Sequence, residues 1–243
     1  DTASPLARES ESYYKFSGQT LECLKKVWME SDRGFFSDEF YNMPGLGALY
    51  SRASTYVFGD WNKCGELMGL APYGRHGQIK PLMDIAGNHL TVPRWSAEFN
   101  KAYIADSGEK WETSPSMRHW EDVAWRVQDD TEKVLLARAA WLRETTGAKN
   151  RRGAGGVALN CVANGRIARE SEFENVWIQP AAGDDGIAIG CAYYGWLEIL
   201  KQRRGFVMEH AYVGRRYSDE EVRASTQRSM VKVQTTAVKN SNI

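Results

Sequence analysis

An α/β protein is the fold class this sequence predicts, on three observations. The stretch Gly155–Asn164, GGVALNCVAN, joins paired glycines to a short apolar run and a polar amide. The stretch Gly183–Gly190, GDDGIAIG, has a similar form and follows the apolar run Val176–Ile178. Ahead of both lies the longest helical pattern in the chain, over about residues 116–146. Strands that end in glycine turns and pass into helices belong to open α/β sheets, which place their ligands at those turns.

The bulk numbers set bounds. With 243 residues, 42% of them hydrophobic, the chain is long enough for one large domain or two small ones with a sizeable core. Its 31 basic residues balance 31 acidic ones, so no electrostatic footprint for nucleic acid is present. No apolar run approaches the roughly 18 residues that cross a bilayer. Neither a nucleic acid nor a membrane is therefore expected as a partner. The start, Asp1–Pro5, is polar, lacks Met and resembles no signal peptide, so a fragment of a longer protein is expected. Cys23, Cys64, Cys161 and Cys191 stand far apart with no CxxC pair. They read as reduced core thiols of a cytoplasmic protein rather than zinc ligands.

The elements follow in order. Ser12–Phe16 alternates weakly and reads as the end of a β-meander, with Ser17-Gly18-Gln19 as a turn. Leu21–Met29 has helical or mixed spacing, and residues 32–43 read as a loop. From Gly45, Leu46, Leu49, Tyr50, Ala53 and Val57 recur at three- and four-residue steps and predict a helix. Gly59–Asn62 interrupts it. A second helix, Lys63 to about Leu70, is stopped by Pro72 and Gly74. Gly87-Asn88 before Leu90–Val92 predicts a hairpin, and residues 93–115 a polar, Trp-containing connection. The long helix carries Trp120, Val123, Ala124, Val127, Val134, Leu135, Trp141 and Leu142 near one face, interrupted by Arg138. Ser116 is its expected N-cap and Gly147 its stop. The strand expected next should be apolar, yet Arg151-Arg152-Gly153 precedes the paired glycines; two buried, unpartnered guanidinium groups there would cost several kcal/mol. Gly186–Lys201 reads as a helix whose small residues allow close packing on a sheet, with Tyr193, Trp196, Leu197 and Leu200 on its apolar face. Phe206–Met208 and His210–Gly214 read as extended. Ser218 and Glu221 form a capping box, and the stretch after Gln227 reads as a fraying tail.

The chemistry rests on few residues. Gly155 and Gly156 have no Cβ, so their backbone can approach a phosphate or nucleoside closely. Asn160 offers an amide that donates and accepts. Asp184 or Asp185 stands at a helix start, where a carboxylate is either an N-cap or a ligand for a hard cation. His76, His89, His119 and His210 form no HxxxH or HxxH pair, and no Walker loop, GxSxG or GxGxxG occurs.

In order along the chain, GLGALYSRAS (45–54), GELMGLAPYGR (65–75), GGVALNCVANGRI (155–167), VWIQPAAGDDGIAIGCAYYG (176–195) and HAYVGRRYSDEE (210–221) resemble the O-carbamoyltransferase family. Its members carbamoylate hydroxyls of antibiotics, nodulation factors and alkaloid toxins. The resemblance implies a partial actin-like, two-lobed domain over residues 1–222, with a first lobe to about 95 and a second after it. It implies that 223–243 starts a linker to a YrdC-like domain, which the sequence lacks. It implies that carbamoyl phosphate and ATP give carbamoyl-adenylate, whose carbamoyl group passes to a small hydroxylated metabolite with help from a divalent metal, usually iron. By motif, Asp184 matches a metal ligand. Gly155, Gly156 and Asn160 match the nucleotide-contacting segment, Gly74 matches the glycine after the MGLAPY turn, and Asn62 falls near a nucleoside contact. The family's HxxxH pair and aspartate-glycine strand are absent from this sequence, and Glu66 stands where relatives often carry Lys. An actin-like kinase or ATPase, or an inactive truncated remnant, are the alternatives.

Overall fold

A computed structural model describes residues 7–18, 20–30, 45–86, 89–91, 117–208 and 214–228. The chain divides into two compact units, residues 1–201 and 202–243. The first unit is mixed α/β, with three two-stranded sheets among the described residues.

Strands β1 (Ala7–Ser17) and β2 (Thr20–Glu30) form an antiparallel hairpin, from Ala7 opposite Glu30 to Ser17 opposite Thr20. Gly18 turns the chain at φ +61°, a left-handed conformation that glycine adopts without strain; Gln19 lies outside the described residues. The helical or mixed spacing over Leu21–Met29 is corrected here, because that segment is strand throughout. Pairing along the whole of β1 outweighs its weak periodicity. The loop expected over 32–43 lies outside the described residues.

Helix α1 (Leu46–Phe58) buries the predicted Leu46, Leu49, Tyr50, Ala53 and Val57 and ends at Gly59, φ +73°. After the turn through Asn62, α2 (Cys64–Leu70) runs into a 3-10 turn over Ala71–Tyr73. Strands β3 (Asp84–Ala86) and β4 (His89–Thr91) pair antiparallel, as the predicted hairpin requires. Its turn, Gly87-Asn88, lies outside the described residues, as do the connection 93–115 and the expected cap Ser116.

The long helix α3 (Met117–Thr146) is the spine of the unit and stops at Gly147, φ +63°. Trp120, Val123, Ala124, Val127 and Val134 pack with α1, α2, Leu82 and Met83 into one core. Ala139, Ile167 and Phe173 form a second core beyond it. The helix also turns charges inward. Asp122 accepts the backbone N–H of Arg75 at 2.8 Å and its Nη2 at 2.6 Å. Asp130 Oδ2 accepts the N–H of Leu82 at 2.7 Å, so residues 75–83 are fastened along α3. Arg138, the break in the apolar stripe, is buried with Nε 3.5 Å from Glu11 Oε2. One turn on, Trp141 meets Tyr13 edge to face at 5.2 Å, and the hairpin sits on this end of the helix.

Strand β5 (Asn150–Gly153) pairs parallel with β6 (Asn175–Ile178), and α4 (Cys161–Glu170) lies between them in sequence. The expectation of an apolar strand is corrected, because Arg151-Arg152 is the middle of β5 itself. Alternation explains how it is accommodated. Arg152 faces out, with its guanidinium 5.7 Å from the Trp177 ring centroid. Arg151 faces in and is half-buried, with Nε and Nη1 lacking hydrogen-bond partners. Burial holds its pKa below the usual arginine range.

Helix α5 (Gly186–Tyr194) continues as a single π turn to Ile199. Its expected packing on a sheet is corrected: it buries no residue, and Ile187, Tyr194, Trp196 and Leu200 are exposed. The thiols are corrected as well: Cys23, Cys161 and Cys191 are exposed, and only Cys64 is half-buried. Cys161 starts α4 and Cys191 lies on the uncovered α5, so neither reaches a core. No described helix is long and apolar enough to cross a membrane.

In the second unit, α6 (Asp219–Arg228) carries the predicted capping box. Ser218 Oγ accepts the Glu221 N–H at 3.2 Å, and Glu221 Oε2 accepts the Ser218 N–H at 2.8 Å. The segment 210–213 and the tail beyond 228 lie outside the described residues.

Candidate functional site

Parallel strands deliver both glycine motifs to one end of the β5–β6 pair. β5 runs into Gly155-Gly156 and β6 into Gln179–Asp185, each at the carboxyl end of its strand. The two loops are tied together. Gly155 N–H donates to Ala182 O at 2.8 Å, and Gln179 N–H donates to Gly153 O at 3.0 Å. Gly155 takes φ +99°, which sets that bond and disfavours any side chain. Gly156 is different. It has no positive φ, and a Cβ there meets nothing within 4 Å. The packing gives no reason for a glycine at Gly156.

A 3-10 turn, Gly156–Leu159, leads into Asn160, the N-cap of α4. The Asn160 side chain is buried, and its Oδ1 accepts the Ala163 N–H at 3.0 Å. Asn160 Nδ2 donates to Gln128 Oε1 at 2.9 Å, and Gln128 Nε2 returns a bond to Asn160 Oδ1 at 3.2 Å. Three of the four hydrogen-bonding positions of this amide are therefore used within the fold. Tyr50 OH donates to the same Gln128 Oε1 at 2.7 Å. Burial pushes the Tyr50 phenol well above its ordinary range, which keeps it a donor.

Asp184 is exposed on the loop that holds Ala182. Asp185 stands at the N-cap position of α5 but makes no side-chain capping bond, so the capping alternative fails for it. A Cβ at Gly186 would lie 2.1 Å from Ala181 O, so this glycine is required by the tight strand-to-helix turn.

Asn62 and Gly74 belong to the α1–α2 side. Asn62 is exposed in the turn before α2, where its backbone N–H donates to Asp60 Oδ1 at 2.8 Å. Met68 of α2 lies 4.0 Å, sulfur to sulfur, from Cys161 at the start of α4, so α2 borders the glycine loop. Gly74 has a packing role. A Cβ there would stand 2.2 Å from Glu121 O and 2.5 Å from Trp125 Cβ of α3. The structure thus brings Gly155, Gly156, Asn160 and the Asp184 loop together, and sets Gly74 against α3. Sequence reasoning missed Gln128, because a polar residue was not counted in the α3 stripe. Its place four residues after Ala124 and three before Thr131, both buried, was the available signal.

The sequence profile of the carbamoyltransferase N-terminus family matches residues 2–193, which include both loops and all six of these residues. The chain belongs to this family. It is 40% identical over 200 residues to the uncharacterized protein sll1178 of Synechocystis sp., covering 73% of this chain and 32% of that one. It is 29% identical over 161 residues to the nodulation protein NolNO of Sinorhizobium fredii, covering 63% of this chain and 23% of the relative. It is 30% identical over 159 residues to the nodulation protein NolO of Bradyrhizobium diazoefficiens, covering 60% and 27%. The chain therefore spans between about a quarter and a third of the length of these relatives.

Proposed function

We propose that this carbamoyltransferase segment forms part of an ATP-dependent O-carbamoyltransferase, with the actin-like, two-lobed fold of that group, working in the cytoplasm. Water releases carbamate and phosphate from carbamoyl phosphate, carbamate displaces pyrophosphate from ATP to give carbamoyl-adenylate, and the carbamoyl group then passes to a hydroxyl of a small metabolite. The observation that carries this reading is the pair of glycine loops, tied by the Gly155–Ala182 bond at the carboxyl end of a parallel strand pair. That place suits an adenylate, because bare backbone at Gly156 admits close approach of its phosphate. Asn160, held at the end of the glycine loop, and Asn62, exposed in the turn before α2, are the further residues we assign to nucleotide contact. In the transfer step, the acceptor oxygen bonds to the carbamoyl carbon. The bond from that carbon to the AMP phosphate oxygen breaks, AMP leaves with the electron pair, and the hydroxyl proton passes to water. The loops hold the adenylate so that this step is effectively unimolecular.

The donor set for a divalent metal is incomplete among the described residues. No three His, Cys, Asp or Glu side chains cluster there, and Asp184 is a single exposed carboxylate. It does not hold iron by itself, and we propose it as one ligand of an ion completed by other residues.

The test uses the intact protein with carbamoyl phosphate, ATP and a panel of hydroxylated acceptors. Formation of AMP, pyrophosphate and a carbamoylated acceptor is the expected result. Formation of ADP and a phosphorylated acceptor, or no reaction at all, overturns the reading.

A further inference from the structure

The geometry points to Gln128 as a positioning residue that sets the glycine loop 155–160 for its ligand by clamping Asn160 between α1 and α3. The inference rests on the nucleotide-binding reading of that loop. The polarity of the network is fixed from both ends. The Ala163 N–H needs an acceptor, so Asn160 presents Oδ1 to it and turns Nδ2 toward Gln128. Gln128 must then present Oε1 to that Nδ2 and to the Tyr50 hydroxyl, which leaves Nε2 for Glu132 Oε1 at 2.7 Å. Glu132 is held in turn by Arg166 of α4 at 3.0 Å. Gln128 and Asn160 are 5% and 8% exposed, so water competes weakly and each bond depends on the others. Leucine has the wrong chemistry at every contact. A carboxylate keeps both accepting roles of Gln128, but loses the donor to Asn160 and faces Glu132 with like charge.

The chain of contacts runs through Asn160 to the loop, so Gln128 acts on the loop and not on the reacting atoms. Its loss should loosen the loop and weaken nucleotide binding while sparing the chemical step. The experiment compares the intact protein with Gln128→Leu and Gln128→Glu. It measures amide hydrogen exchange over residues 155–161, KM for ATP, kcat and thermal stability. Exchange in the loop should rise about tenfold in both variants, as loss of one buried hydrogen bond implies. KM should rise by about the same factor, with kcat changed less than about threefold, the signature of lost uniform binding. Gln128→Glu, being isosteric, keeps the comparison open if Gln128→Leu does not fold. Unchanged loop exchange in a folded variant overturns the inference, as does a fall in kcat with KM unaltered. If the parent protein shows no carbamoyl transfer, the functional reading fails, and loop exchange still decides whether Gln128 positions the loop.

Discussion

Gly74→Ala and Gly156→Ala separate two glycines that the family resemblance places in one site. At Gly74 the added methyl stands 2.2 Å from Glu121 O, 2.5 Å from Trp125 Cβ and 2.8 Å from Glu121 C. These atoms belong to the backbone and first side-chain carbon of α3, so no flexible chain end can yield. Overpacking of this kind costs about 1–3 kcal/mol, and two rigid neighbours put Gly74→Ala at the upper end, about 3 kcal/mol. For a unit of this size, that lowers Tm by roughly 6–12 °C. At Gly156 the methyl meets nothing within 4 Å, and the backbone is not left-handed. Its stability should change by less than about 0.5 kcal/mol. Nucleotide affinity should move the opposite way, falling about tenfold or more in Gly156→Ala, where the methyl occupies the ligand's approach. The assay is thermal unfolding of the intact protein alongside calorimetric titration with ATP. A Gly74→Ala variant as stable as the parent refutes the packing argument. A Gly156→Ala variant that binds ATP like the parent refutes the argument for bare backbone.

Three further outcomes follow from the same geometry. Burial raises the pKa of Asp122, but hydrogen bonds from Arg75 outweigh it and hold the carboxyl below its ordinary value of 3.8. A depressed folded value means that stability is present above about pH 4 and is lost as pH falls through the folded value. Urea melts between neutral and acid pH should show Asp122→Asn less stable at neutral pH by about 1–3 kcal/mol, with the gap closing in acid; parallel curves contradict this. Arg151→Leu should leave the protein as stable or up to about 3 kcal/mol more stable in urea, because it removes a partly buried guanidinium whose Nε and Nη1 have no partner. A marked loss would show that Arg151 has a role these contacts do not reveal. Ser218→Ala should cost about 1 kcal/mol of α6 stability, read as lost helical signal, since it opens the capping box.

Much of the fold was legible because apolar period and helix punctuation act locally. Leu46, Leu49, Tyr50, Ala53 and Val57 had the right spacing and are the buried face of α1. Gly59 and Gly147 end helices in left-handed conformations, as stop signals do. What stayed hidden depends on partners distant in sequence. Leu21–Met29 becomes a strand only because β1 pairs with it. Arg138 reads as a defect until Glu11 stands beside it. Asp122, Asp130 and Gln128 look like solvent-facing residues of a helix and are buried, because Arg75, the Leu82 backbone and Asn160 satisfy them. The site was legible in part. The glycine motifs announced the loops, but their juxtaposition needs the parallel register that sets Arg151 opposite Val176 and Gly153 opposite Ile178. The packing role of Gly74 was not visible in a turn motif, because its neighbours lie on α3.

Amide hydrogen exchange of the intact protein, with and without ATP and carbamoyl phosphate, tests most directly whether the two tied loops form the nucleotide site. The account predicts that residues 153–160 and 179–187 are protected together on addition of the substrates. Protection confined to other segments, with both loops exchanging as in the free protein, would contradict it.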